Sequence, residues 1–289
     1  MMNRDTFETK LFGVLRWVVL AGLALATLFP FYYMTLLSIR PIEDLLRNPG
    51  KLWLSFSEWT TTTYQDVLRS TDSGGQGMLS LLGNSAIVSI GTMVLTLLIS
   101  IPGAYAISRL RFFGHKQIHF LFLAVYMFPA VLLAVPLFVL FTKLGLRDSL
   151  VGLMLVYIAQ TLPVSIYMLR NYLITIPAAI EEAAMVDGCS RRQIITRVTI
   201  PLAAPAIMAT ALYVFMIAWN EFLFALLFLV EDRSKWTVSL GLAQLSNGVE
   251  VSKTILMAGS VVLTIPIVIL FYAAQRLLTE GLTSGAEKA

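Results

Sequence analysis

The sequence predicts an all-α integral membrane protein with six transmembrane helices and both termini in the cytoplasm. Three observations lead there. The first is composition: 57% of the 289 residues are apolar and 13% charged, with a mean hydropathy of +0.79. Soluble domains hold roughly 45–50% apolar and about 25% charged residues. The second is six apolar runs of the length a bilayer requires, about 20 residues each. The third is the distribution of basic residues. The N-terminal tail, the loops after the second and fourth runs, and the C-terminal tail hold Arg4, Lys10, Arg16, Arg109, Arg111, Lys116, Arg170, Arg191, Arg192, Arg197, Arg276 and Lys288, which is 12 of the 21. Short loops rich in Lys and Arg stay on the cytoplasmic side, and six crossings return the chain to the side on which it started.

The runs are 11–37, 84–107, 118–141, 150–169, 205–229 and 255–274. They are continuous, whereas barrel strands alternate in polarity, so a β-barrel is excluded. The first run contains Ala24-Leu25-Ala26, similar to a signal-peptidase site. It continues to Leu37, beyond the roughly 7–15 residues of a signal core, and reads as an uncleaved helix. In the second run Thr92, Thr96, Ser100, Ala104 and Ser108 recur every fourth residue. Small side chains on one face let helices approach closely in lipid, so this is a packing face. Pro102, Pro136, Pro163 and Pro266 fall inside runs, where proline is tolerated and kinks the helix. No Pro/Gly/Ser linker separates the runs, so residues 1–289 read as one domain.

Two long loops face outward, Ser38–Gly83 and Glu231–Thr254. The first carries Trp53, Trp59 and Tyr64, then Gly74-Gly75-Gln76-Gly77. Its aromatic residues suit either the membrane interface or an extracytoplasmic partner. The net charge of +4 resides in loops between apolar runs, so it points to membrane lipids and not to nucleic acid. The single cysteine, Cys189, permits no internal disulfide.

The most informative segment is the cytoplasmic loop 171–204. Pro177 can open a helix at its first position, and Glu181 and Glu182 near that start suit the helix dipole. Gly188 can close it in a left-handed conformation. Ser190 with Gln193 forms a capping box for a second helix that runs to about Thr199, where Pro201 stops it. The loop is therefore two short helices joined at Asp187-Gly188. Ile180, Ala183 and Ala184 share a face and make a smooth knob for a groove on another protein; the alternative is a pair of helices lying on the lipid surface.

Glu182-Ala183-Ala184, Asp187-Gly188 and Val198-Thr199-Ile200-Pro201 resemble the EAA motif of bacterial ABC-importer permeases. Gly188 stands four residues after Ala184 and Val198 ten after Gly188, with Val198 and Ile200 in place of Ile and Leu. Phe29-Pro30-Phe31-Tyr32 through Ser38 and Trp219-Asn220-Glu221-Phe222 look like the carbohydrate-uptake permeases, and Gln275-Arg276 with Gly281-Leu282-Thr283-Ser284-Gly285 is similar to the end of the maltose-type G subunit. The resemblance implies a type I ABC importer permease architecture in the bacterial inner membrane. It implies that Ile180, Glu181, Glu182, Ala183, Ala184, Met185, Asp187, Gly188 and Pro201 couple the chain to an ATPase dimer. That ATPase, and not this chain, would bind ATP and Mg. The C-terminal tail would reach the ATPase, and the Glu231–Thr254 loop an extracytoplasmic sugar-binding lipoprotein. A second permease subunit, making a heterodimer, is implied as well. The expected cargo is a sugar, a disaccharide such as trehalose or maltose.

Glu221 is the only acidic residue inside a predicted run. Ionisable groups within a membrane default to function, and Tyr213, Ile217, Asn220 and Phe224 share a helical face beside it. Polar groups with aromatic rings suit a sugar; the alternative is a hydrogen bond between helices or a gate. Gln160 and Thr161 in the fourth run stand under the same two readings, and Gln160, Tyr213, Asn220, Glu221 and Phe224 form the candidate substrate pathway. No Lys or Arg lies mid-run, which favours a neutral sugar over glycerol phosphate. An ion-coupled transporter would need several intramembrane acids, and no convergent catalytic set is present for an enzyme. His115 and His119 lack a carboxylate in H-E-x-x-H order and sit in a basic loop, so they read as interface residues and no metal is expected. Gly248 with Lys253-Thr254 lacks the glycine preceding the lysine of a P-loop, so the chain itself has no nucleotide site and no cofactor.

Overall fold

The computed structural model describes the backbone of residues 4–247 and 252–286. Side chains are described between residues 12 and 278, those of His115, Lys116 and His119 being among the exceptions. Every regular element among the described residues is helical. The chain forms two compact units, Met1–Gly77 with Leu245–Val262, and Met78–Gln244 with Leu263–Ala289.

The first unit begins with α1 (Arg4–Ser38). Residues Phe12–Ser38 have a mean hydropathy of 2.0, and none of the most apolar 18-residue stretch is buried within the chain. A helix apolar on every side belongs in a bilayer or under another protein. After α1 come α2 (Ile42–Arg47) and α3 (Thr62–Leu68). Ser38 at the end of α1 shares a 2.7 Å hydrogen bond with the Tyr64 hydroxyl on α3. Arg40 is fully buried because its five donors in a rigid fork organise the turn that follows. Nε donates to Asp44 Oδ2 at 2.7 Å, Nη2 to the carbonyls of Asp44 and Asn48 at 3.0 and 2.6 Å, and Nη1 to that of Lys51 at 3.3 Å. Trp53 and Trp59 remain exposed, Trp59 with its ring 4.7 Å from that of Phe56.

The second unit is organised on α4 (Met78–Arg109). It continues through α5 (His115–Met127), α6 (Ala130–Lys143), α7 (Leu150–Leu173), α8 (Ala178–Val186) and α9 (Arg191–Ile194). A π-helical turn, Ile195–Thr199, leads into α10 (Ile200–Leu202). Then follow α11 (Ala204–Asn220), α12 (Leu223–Leu229), α13 (Val238–Asn247) and α14 (Lys253–Ala286). Helices α4, α7 and α11 pack against one another as the centre of this unit. Four of the five residues of the small-residue face on α4, Thr92, Thr96, Ser100 and Ala104, have no exposed surface, while Ser108 is half-buried, and Thr96 meets Thr161 of α7 hydroxyl to hydroxyl at 3.3 Å. Val88, Leu153, Tyr157, Ala218, Phe224 and Phe228 make one apolar cluster, and Ala104, Ile166, Leu169, Leu173 and Ala203 another.

Four of the six expected runs are single long helices: 12–38, 78–109, 150–173 and 253–276. The other two are broken. The run 118–141 splits into α5 and α6, because Phe128 takes an extended conformation (φ −76°, ψ 124°) before Pro129. Proline disfavours the helical region for its predecessor by a clash with its ring. The run 205–229 splits into α11 and α12 at Glu221, also extended (φ −65°, ψ 135°). Among the described residues four helices are thus long and apolar enough to cross a membrane, and a fifth if Arg191–Leu202 and Ala204–Asn220, bent by 75°, count together.

Candidate functional site

The loop 171–204 folds as α8, a glycine turn and α9. Pro177 stands one position earlier than expected, as the N-cap of α8 and not its first residue. Gly188 takes φ +82°, a conformation that suits a residue without Cβ, and turns the chain. Ser190 and Gln193 form both hydrogen bonds of the capping box that opens α9. Pro201 does not stop the second helix where expected: the helical path continues through the π-turn to Leu202. Proline offers no N–H to the preceding turn, and a wider turn accommodates that loss.

Helix α8 stands almost clear of its unit. Ile180, Glu182, Ala183, Met185 and Val186 are exposed, Val186 at 88%, as are Asp187 and Gly188, and Ala184 is half-buried. Glu181 is the exception at 6% exposure. Its Oε1 accepts from Arg109 Nε at 2.9 Å and from the Thr199 hydroxyl at 3.3 Å, and its Oε2 from the Tyr105 hydroxyl at 3.0 Å. Arg109 Nη2 also donates to the carbonyl of Ile176, just before α8, at 2.8 Å. Below α8 lies a cavity of about 140 Å³ lined by Tyr105, Arg109, Glu181, Glu182, Arg191 and Ile194, among others.

The second constellation is the break between α11 and α12. The Glu221 carboxylate accepts from the backbone N–H groups of Phe224 and Ala225 at 2.9 and 3.2 Å, capping α12 from the position just before its N-cap residue, Phe222. The Tyr157 hydroxyl donates to it at 2.5 Å, and the Ser239 hydroxyl to the Glu221 carbonyl at 2.6 Å. Glu221 therefore satisfies the donors that a helix start leaves open, at the point where the apolar run is interrupted. Of its expected companions, Asn220 is exposed and bonds the Met216 carbonyl at 2.9 Å. Tyr213 is half-buried. Gln160 is half-buried with its Oε1 unpartnered. Phe224 is 2% exposed in the apolar cluster, so its ring is not offered to a solute in this conformation.

Residues 96–284 match the family model described as the binding-protein-dependent transport system inner membrane component. The chain belongs to that family. The permease is 39% identical over 270 residues to the inner membrane ABC transporter permease protein YcjP of Escherichia coli strain K12, which covers 92% of this chain and 94% of the relative. It is 37% identical to the trehalose/maltose transport system permease protein MalG of Thermococcus litoralis, over 92% of this chain and 93% of that one. Among solved structures it is similar to a bacterial ABC transporter involved in the import of the acidic polysaccharide alginate. The TM-score there is 0.79 at 25% identity, over 96% and 98% of the two chains. The chain is thus a multi-pass inner-membrane translocation component and not an enzyme.

In this permease the residues around Glu181 escaped sequence reading. Arg109 reads there only as a loop charge and Tyr105 as one more apolar-run residue. Their four-residue spacing at the end of α4 places them on one face, which is the signal that was available. The polar contacts at the opposite end of α4 were equally silent. Asn84 Nδ2 donates to the carbonyls of Ser234 and Trp236 at 2.7 and 3.0 Å, and Lys235 pairs with Asp148 at 3.1 Å. No cluster of three His, Cys, Asp or Glu residues stands ready for a metal among the described residues. The side chains of His115 and His119, together with Gly248, Gly281–Gly285 side chains and Lys288, lie outside the described residues.

Proposed function

We propose that this permease is one translocation subunit of an ATP-binding-cassette importer that carries a sugar, a disaccharide of the trehalose or maltose kind, into the cytoplasm. One observation carries the reading: α8 holds the family's loop motif on an exposed helix whose only buried side chain is Glu181. The face read from the sequence is open on α8, with Ile180 and Ala183 exposed and Ala184 half-buried, and an exposed apolar side chain such as Val186 near the helix end suits a cleft on a partner. That partner is an ATPase dimer, which holds ATP and Mg. A second permease subunit completes the pore and an extracytoplasmic lipoprotein delivers the sugar. The whole chain acts as one transmembrane domain with six crossings, formed by α1, α4, α5 with α6, α7, α11 with α12, and α14, and with both termini in the cytoplasm. The lengths support this. Helices of 13 and 14 residues together extend about 40 Å at about 1.5 Å per residue, against a hydrocarbon core of about 30 Å.

The mechanism is alternating access. ATP closes the ATPase subunits, their clefts move α8, and the bundle opens outward to receive sugar; hydrolysis resets it. By linkage, the loaded binding protein must favour the state that ATP favours. Asn220, Tyr213 and Gln160 present polar groups to the sugar, while Glu221 holds the α11–α12 break that serves as its gate. The absence of Lys and Arg mid-run favours a neutral solute. The relatives that support a sugar include the Thermococcus trehalose/maltose permease and the trehalose permease SugB of Mycobacterium tuberculosis strain CDC 1551.

A cysteine at position 186, in a Cys189→Ser background, is expected to cross-link to the ATPase subunit in assembled membranes. Vesicles holding the full assembly are expected to accumulate labelled trehalose or maltose only with ATP and the binding protein present. Failure of the cross-link overturns the coupling assignment, and uptake without an ATPase overturns the class.

A further inference from the structure

Helix α8 meets its unit through a polar joint. Its neighbours across the gap are Tyr105 and Arg109, on one face of the last turn of α4, and Thr199 in the π-turn. The Arg109 and Glu181 side chains retain 12% and 8% of their surface, so water scarcely screens them. Arg109 holds two points of the segment, the Ile176 carbonyl before α8 and the Glu181 carboxylate within it. A guanidinium has several donors in a fixed plane, so two such bonds define an angle as well as a distance. Apolar packing contributes little here, since the same contact is underlain by a cavity of about 140 Å³. The covalent connections of α8 run elsewhere, to α7 through a short turn and to α11 through the Gly188 turn and the π-turn. None of these leads to α4.

We propose that Arg109, assisted by Tyr105, is the positioning residue that makes α8 and the end of α4 move as one body, so that force on α8 enters the bundle through α4. The inference rests on the proposed seating of α8 in the ATPase, and adds the route by which its motion travels. Because α4 packs along α7 and α11, a displacement delivered to its end reaches the centre of the unit directly. Transmission along the chain would pass instead through the short turn after α7, whose Ile176 carbonyl Arg109 also holds, or through the Gly188 turn and the π-turn before α11.

The test uses the assembled importer in lipid nanodiscs, with spin labels at Val186→Cys on α8 and Leu98→Cys on the exposed face of α4, in a Cys189→Ser background. In the native joint the interspin distance is expected to be single and narrow, and the same in nucleotide-free and ATP-trapped states. Arg109→Gln is expected to lose that single distribution, broadening it and making it depend on nucleotide. Tyr105→Phe, which removes one hydroxyl, is expected to broaden it less. Glu181→Gln, which spares the Arg109 bond to the Ile176 carbonyl, is expected to broaden the distribution less than Arg109→Gln, and the double variant to change it by less than the sum of the two, because the shared pair is removed only once. A native distance that shifts with nucleotide, or an Arg109→Gln distribution indistinguishable from native, overturns the joint. Mobility of the Val186→Cys label before and after addition of the ATPase reports separately on the seating of α8. If it does not fall, the coupling reading fails while the distance result still decides whether the joint is rigid.

Discussion

Glu221, open in the sequence to both a binding and a structural reading, makes structural hydrogen bonds. Its carboxylate satisfies two backbone donors at the start of α12 and the hydroxyl of Tyr157. Losing a capping acceptor costs about 1 kcal/mol, and a buried hydroxyl left without its partner costs about 1–3 kcal/mol. Glu221→Ala is expected to lower the unfolding temperature in detergent clearly, and Tyr157→Phe by less, because it leaves the cap intact. Equal stability of Glu221→Ala and the native protein would contradict the capping role. A second residue-scale expectation concerns Asp44. The Arg40 hydrogen bond, helped by Asn48, holds its carboxyl below the ordinary 3.8. A group with a depressed folded value stabilises the fold above its unfolded value and loses that contribution as pH falls through the folded one. Hydrogen-exchange protection of residues 42–51 is therefore expected to persist at pH 5 and to fall below about the ordinary Asp value. In Asp44→Asn this pH dependence should vanish. Asp44 remains 27% exposed, so added salt should weaken the effect.

At the scale of elements, hydropathy located α1, α4, α7 and α14 because each needs only a long apolar run, and capping chemistry located α8 and α9. It failed at the two breaks for different reasons. Pro129 is visible in the sequence, and its effect on Phe128 follows from local sterics. The carboxylate at the Glu221 break accepts from Tyr157, 64 residues earlier, and no local pattern encodes that partnership. The joint at Glu181 is hidden in the same way, since its bonds span 72 and 76 residues. Two substitutions test the element-level account. Gly188→Pro forces φ near −65° where the chain has +82°, and is expected to abolish uptake while the protein stays in the membrane; Glu182→Lys, on the exposed face, is expected to do the same. Transport at the native rate by both variants would remove the coupling role from α8. Gly152→Ala would place a Cβ 2.3 Å from the Leu146 carbonyl oxygen, a backbone atom, whereas at Gly91 the nearest atom is the Met154 sulfur at 2.9 Å. Overpacking typically costs about 1–3 kcal/mol, so thermal unfolding should rank Gly152→Ala below Gly91→Ala.

At the scale of the whole molecule, composition and charge were sufficient for the membrane class, and the loop motif for the family. The cargo was not legible, because a sugar is recognised by a few polar groups converging from separate helices, and convergence is a three-dimensional property. Topology can be measured directly. Single cysteines near the N-terminus and at Val186 are expected to react with a membrane-impermeant maleimide only from the cytoplasmic side, and one at Trp53 only from the opposite side. The reverse pattern would refute the orientation, and a further single cysteine near the C-terminus that reacts from the side opposite the N-terminus would refute six crossings.

The break at Glu221 also bears on biosynthesis. A carboxylate entering hydrocarbon alone is costly, yet Tyr157 leaves the ribosome 64 residues sooner, and the two backbone N–H donors to it lie only three and four residues later. In N-to-C-terminal synthesis the hydroxyl partner is thus made before the carboxylate that accepts from it. Tyr157→Phe is therefore expected to delay membrane integration of residues 205–229 during coupled translation and insertion, and unchanged integration would confine the Tyr157–Glu221 bond to the folded permease.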